Sequence, residues 1–258
     1  MMAAAARFQQ SLADALSGFS AVYRREMVAY LTTPLAYVFV AAFLLALGVF
    51  TWEVGDFFNT GRADLSPFFA WHPWLFVVFL PALAMRLWAD ERANGTEELL
   101  LSLPMGLPGI ILGKLAAAWT VTLAALVLTL PMWLTVNYLG PADNAAIALT
   151  YIVSALMAGG YIAVGLAISA LTRSQVSAFV LSVVIAFLFT AAGLPVVLSG
   201  VADTFGTEFA DGVARLSFLT QFEAAQRGVI EWRSILYFTA FIGVWTALAA
   251  LWASRTRG

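Results

Sequence analysis

The chain has 258 residues, of which 62% are hydrophobic and 11% charged, with a net charge of −2. A soluble domain carries roughly 25% charged residues, so the solvent for this surface is a bilayer. The slight negative charge argues against a nucleic-acid partner, and the absence of cysteine excludes disulfides and thiolate metal sites.

Met1 to Ser20 is alanine-rich but carries Arg7 and Asp14 and lacks the pattern of a cleavable signal. Residues 19–33 read as an interfacial helix, with Phe19, Val22, Tyr23, Met27 and Tyr30 on one side and Arg24 and Arg25 on the other. Glu26 falls inside the apolar stripe. Two readings stand: it leans to the headgroup layer, or it pairs with a base such as Arg86 or Lys114.

Six runs are long enough to cross ~30 Å of hydrocarbon as helices: 35–52, 68–87, 110–136, 145–171, 176–198 and 235–252. Pro81, Pro131 and Pro195 are expected to kink these helices without breaking them, and Gly159, Gly160 and Gly165 allow close helix approach. Arg7, Arg24, Arg25, Arg86, Arg92, Lys114, Arg173, Arg255 and Arg257 fall on the side of the termini. Only Arg62, Arg215, Arg227 and Arg233 fall opposite, so the positive-inside rule puts both termini in the cytoplasm.

Between the second and third runs lies the densest charge in the chain, RLWADERANGTEELLLSLP, Arg86 to Pro104. Asn94-Gly95 is a turn, Thr96 a candidate N-cap, and Glu97 and Glu98 would meet the positive end of a helix dipole. Leu99, Leu100 and Leu103 are expected on one face, and Pro104 ends the helix. An acidic start with an oily stripe suits docking into a groove on a soluble partner. In the outer loop, residues 199–234, the recurrence of Phe218, Phe222, Ala225 and Val229 predicts an amphipathic surface helix with Gly228 near its end.

Chemistry of its own is scarce. Gly109-Ile-Ile-Leu-Gly113-Lys114 lacks the spacing of a phosphate-binding loop, and Leu115 stands where the Mg²⁺-binding hydroxyl belongs. His72, the single histidine, sits between Trp71 and Trp74 and reads as a residue of the interfacial aromatic belt. No Asp or Glu lies in the middle of a run, which argues against an ion-coupled carrier. The reading is an all-α membrane protein, one transmembrane domain over 1–258, without metal, cofactor or enzymatic site of its own.

Three segments carry a resemblance. They are Arg25-Glu26 through Tyr30-Leu31 to Pro34-Leu35-Ala36-Tyr37; Met85-Arg86-Leu87, Glu91-Arg92, Gly95-Thr96, Glu98-Leu99-Leu100, Leu103-Pro104 and Gly113-Lys114; and Phe222-Glu223, Arg227-Gly228-Val229-Ile230, Arg233 and Tyr237-Phe238. On these the chain resembles type-2 ATP-binding-cassette (ABC) exporter permeases, of the gliding-motility-associated subgroup. The resemblance implies six spans, a connecting helix containing Arg24, Arg25, Glu26 and Tyr30, and a coupling helix at 92–104 between spans 2 and 3. It also implies short outer-face helices before span 6, carrying Phe222, Glu223, Arg227 and Gly228. Glu91, Arg92, Gly95, Thr96, Glu97, Glu98, Leu99, Leu100 and Leu103 would form the coupling segment, with Glu97 and Glu98 touching the ATPase. Two cytoplasmic ATPase subunits, holding ATP and Mg²⁺, and a second permease subunit, the same or homologous, are the implied partners. The expected function is ATP-driven export; the alternative is a membrane subunit that transmits force to an extracytoplasmic partner without moving a solute.

Overall fold

A computed structural model describes residues 15–57, 64–228 and 232–254. Arg7, Arg62, Val229, Ile230, Arg255 and Arg257, invoked above, lie outside the described residues. Among the described residues the chain is helical throughout, with no strand. The helices are α1 (Phe19–Thr32), α2 (Pro34–Val49, continued by a π-helical turn Phe50–Val54), α3 (Ser66–Phe69), α4 (His72–Ala84), α5 (Arg86–Ala93), α6 (Glu97–Ser102) and α7 (Leu107–Val127). After these come α8 (Leu130–Leu139), α9 (Asn144–Ser169), α10 (Gln175–Ala191), α11 (Pro195–Phe205), α12 (Thr207–Leu216), α13 (Phe218–Gln226) and α14 (Trp232–Ser254).

Proline punctuates this order. Pro34, Pro67, Pro73, Pro108, Pro131 and Pro195 each stand in the first turn of a helix, where the missing N–H has no partner to lose. Among the described residues, five stretches are long and apolar enough to cross a membrane: Pro34–Val54, Ser66–Ala93, Leu107–Leu139, Asn144–Ser169 and Trp232–Ser254. The expected fifth run, 176–198, is different. It ends with α10 at Ala191, and α11 leaves at 76°, so there are six spans if that bent pair counts as one. Pro195 therefore breaks the helix instead of kinking it, because it starts α11 after Leu194 has turned extended.

The core forms around α9, which is buried continuously from Met157 to Ala170. Spans α4, α7, α10 and α14 surround it. The second span is longer than expected, since α5 carries it on to Ala93 and puts Arg86, Asp90, Glu91 and Arg92 on its end. The segment 92–104, expected as one helix, holds only the end of α5 and the short α6, because Asn94-Gly95 closes α5 before α6 can begin.

The loop at 199–234 also departs from expectation. The helix carrying Phe218, Phe222 and Ala225 is α13, and these three side chains are buried, not spread on a surface. Phe218 packs edge-on against Tyr161 of α9, with ring centroids 4.7 Å apart. The amphipathic helix of this segment is α12, whose Phe209 and Leu216 stand exposed.

His72 is a further correction. It is fully buried, not interfacial, and its Nδ1 lies 3.0 Å from Ser154 Oγ. The rings of Phe68, Phe69 and Phe76 surround it at 4.9, 5.2 and 5.5 Å. Its helix starts there because Ala70 and Trp71 separate α3 from α4, which turns the ring inward toward α9.

Candidate functional site

The charged stretch and α1 meet at one end of the bundle, in a cluster of four charges. Glu26 Oε1 accepts from Lys114 Nζ at 2.8 Å and from the Arg25 guanidinium at 2.7 Å. Glu91 Oε1 lies 3.0 Å from Lys114 Nζ and also takes the Arg25 guanidinium. Lys114 donates further to the Leu87 carbonyl oxygen at 2.5 Å and stands 5.1 Å from the ring centroid of Trp88. Three oxygens thus lie within 3.0 Å of an ammonium that is only 1% exposed, two of them as hydrogen-bond acceptors. Two cations and two carboxylates leave the cluster neutral, as burial demands.

Sequence places these groups through one small residue. A Cβ on Gly113 would come within 3.0 Å of the Phe19 carbonyl oxygen and of Val22 Cβ, so glycine is what lets α1 lie close along α7. With α1 that close, Glu26 reaches the next residue, Lys114. Of the two partners considered for Glu26, the structure selects Lys114. Arg86 instead lies 4.9 Å from the ring centroid of Tyr30, whose hydroxyl donates to the Leu83 carbonyl oxygen at 3.0 Å. Burial alone would raise the Glu26 carboxyl, but Lys114 and Arg25 outweigh it and hold its pKa below the ordinary carboxylate value. Burial raises the Tyr30 phenol far above its ordinary value.

From this cluster α5 reaches the rest of the bundle. Arg92 Nε donates to both carboxylate oxygens of Glu97 at 3.0 Å, and its terminal nitrogen lies 3.5 Å from the Trp252 carbonyl oxygen of α14. Asp90 accepts from Gln175 at the start of α10. A helix of eight residues therefore contacts α1, α6, α7, α10 and α14 through polar groups.

The turn that leads out of α5 is a Schellman closure. Gly95 has φ 69°, and the Thr96 N–H donates to the Glu91 carbonyl oxygen at 2.9 Å. Thr96 takes the N-cap position of α6, but its side chain makes no capping bond to the helix. Its backbone is already helical, which turns the hydroxyl back toward Glu91.

The faces of α6 differ from expectation in two respects. Glu97 is buried, 6% exposed, and its carboxylate faces inward on Arg92, so it holds α6 in place. Leu100 is buried with Leu101, while Leu99 and Leu103 stand 69% and 48% exposed beside exposed Glu98. The reason is the helical period: residues 97, 100 and 101 share one face, and 99 and 103 share the other. Arg24 is exposed, but Arg25 turns its guanidinium back to Glu26 and Glu91, not to headgroups.

At the far end, Phe222 is buried, 6.4 Å from His72 between ring centroids, while Glu223 and Arg227 are exposed. Gly228 closes α13 with φ 71°. These residues are not brought together with the charge cluster. Trp88, the Leu87 carbonyl, Gln175 and the Trp252 carbonyl belong to the site and escaped the sequence reading. Two signals pointed toward it: Glu26 in an apolar stripe and Lys114 in an apolar run, opposite charges each set among apolar residues. Lys114 is taken up by this cluster, which leaves its ammonium no room to cradle a phosphate.

Among proteins of known family, the chain matches the model described as ABC-2 family transporter protein over residues 72–251, from the start of α4 to near the end of α14. No curated protein matches it.

Proposed function

Because the chain belongs to the ABC-2 family of transporter proteins, we propose that it is the membrane subunit of an ABC exporter, with α6 as the handle on which a separate ATPase pulls. Family membership makes it an integral membrane protein that works with an ABC ATPase. In our reading the charged end faces the cytoplasm, two such subunits pair, and two ATPase subunits carry ATP and Mg²⁺. The ATPase groove grips Glu98, Leu99 and Leu103, while Glu97 and Leu100 anchor the handle to the bundle. The outer-face segment, α13 with Phe222 and Glu223 and then Arg227 and Gly228, stands near the exit.

The observation that carries this reading is the neutral cluster Arg25, Glu26, Glu91 and Lys114. A force on α6 passes through Glu97 and Arg92 to α5, and from α5 to α1, α7, α10 and α14. Bistable transmission needs elements that move as one body, and a neutral cluster in which Arg25 ties both carboxylates together beside buried Lys114 resists local yielding. Replacing Leu99 and Leu103 by glutamate should remove the ATPase from the purified complex and abolish nucleotide-driven transport. Retained binding and transport would refute the placement of the handle.

The gliding-associated subgroup, which rests on the segments quoted above, keeps a mechanical role as the alternative. The unbroken burial of α9 from Met157 to Ala170 favours it, since a helix packed on all sides transmits displacement well. Reconstituted vesicles separate the two: a mechanical subunit would stimulate its ATPase without moving any lipid or solute.

A further inference from the structure

A cavity of about 240 Å³ opens between the first and third spans, in the half of the bundle away from the charge cluster. Gly48 and Thr51 form one wall, Thr129, Met132 and Thr135 the other, and Phe68 lies between. Its only polar side chains are Thr51, Thr129, Thr135 and Trp52. Thr51, Thr129 and Thr135 donate their hydroxyls to the carbonyls of Leu47, Leu126 and Pro131, at 2.6, 2.6 and 2.9 Å. The threonines thereby offer methyl groups to the cavity, and no charged side chain lines it.

Both walls leave regular α-geometry at this level. The first span changes to a π-helical turn at Phe50–Val54, and the third breaks at Leu128 and Thr129 before Pro131 restarts it. π-turns recur where a helix must bend around a function. Here two irregularities face each other and hold the spans apart. The surface beside the mouth is the lipid-facing kind, with Leu45 and Val49 on one lip and Leu134 on the other, all exposed. In a membrane protein that surface meets hydrocarbon, and the cavity continues it inward.

We infer that the cavity between Gly48–Thr51 and Thr129–Thr135 is a binding site for one acyl chain of a membrane lipid. Its lining is mostly apolar and suits hydrocarbon, and it offers a polar solute little, because the three threonines spend their hydroxyl protons on their own helices and keep only acceptor lone pairs. The first span, which buries little of its own surface, is the side from which the chain enters. This inference does not rest on the transport reading, since a resident lipid and a passing one leave the same footprint.

The test is photolabelling. The full chain is reconstituted into vesicles of phosphatidylethanolamine and phosphatidylglycerol, with a trace of the phosphatidylglycerol carrying a diazirine on one acyl chain, and labelled peptides are mapped. Adducts should concentrate in residues 44–52 and 128–135. Gly48→Leu is directed into the space, where a Cβ first meets the Trp52 ring at 3.6 Å, an ordinary contact. It should remove those adducts and leave labelling elsewhere unchanged. Thr135→Phe, at the exposed rim, should do the same. Adducts spread evenly over all spans in the unaltered chain would overturn the inference, whatever the variants do. So would a crosslink from a photoreactive residue at position 135 to a second copy of the chain, which would make the cavity part of a protein interface.

Discussion

Glu26 and Lys114, 88 residues apart in sequence, meet at 2.8 Å inside the protein, with side chains 9% and 1% exposed. Such a pair is poor evidence of net stability, because desolvating two ions consumes most of their attraction. What the geometry does fix is an asymmetry between removing one partner and removing both. Lys114→Met strands Glu26 and Glu91 with only Arg25 and should cost about 3–5 kcal/mol. Glu26→Leu combined with Lys114→Met leaves the Arg25–Glu91 pair intact and should recover most of that loss. Thermal unfolding in detergent, read for both singles and the double, checks this. Additive losses would mean that the two residues are not coupled.

The same pair sets an acid limit. The Glu26 carboxyl titrates below its ordinary value of 4.5 in the folded protein. Its contribution is therefore fully present above pH 4.5 and is lost as pH falls through the depressed value, when the folded state must take up the proton it had refused. The melting temperature should fall on acidification below 4.5, and Glu26→Gln should flatten that part of the profile. An unchanged acid limb in Glu26→Gln would assign the loss to other carboxylates.

The all-helical membrane architecture was legible because runs of twenty apolar residues admit few alternatives, and helices lie over the first, third, fourth and last of those runs, while the second extends to Ala93. Pro195 misled, because the sequence around it stays apolar while the backbone turns away by 76°. A hydropathy window registers composition and not direction. The wheel for α6 failed for another reason. Leu99 and Leu100 are equally oily, and only the position of Arg92 decides which of them faces the bundle. His72 likewise looked interfacial between two tryptophans, yet α3 and α4 deliver it to Ser154 on α9. For His72 the deciding partner, Ser154, lies on another span and is out of reach of any local pattern.

Arg92 and Glu97 hold α6 by a two-point contact, both side chains under a tenth exposed. A helix of six residues has little stability by itself. Glu97→Ala should therefore release the segment. Hydrogen exchange over 97–102 should accelerate strongly while exchange in α9 stays slow. Glu98→Ala, on the exposed side, should leave the exchange pattern as it is. If both substitutions speed exchange alike, Glu97 is not the anchor.

The two faces of α6 make opposite predictions for substitutions of one chemical kind. Leu99→Glu and Leu103→Glu change exposed side chains that touch little of the bundle, so the melting temperature should move by no more than about 0.5 kcal/mol equivalent. Leu100→Glu puts an unpaired carboxylate at a site only 5% exposed and should destabilise by several times as much. With the ATPase present the order reverses. The exposed-face variants should lose the partner in co-purification while remaining monodisperse, because a charge at the centre of an apolar contact is left unpaired on binding. Leu100→Glu should lose the partner only to the extent that it unfolds. Comparing melting and co-purification across the three variants separates a docking face from a packing face, and equal behaviour of Leu99→Glu and Leu100→Glu would remove the ground for calling α6 a handle.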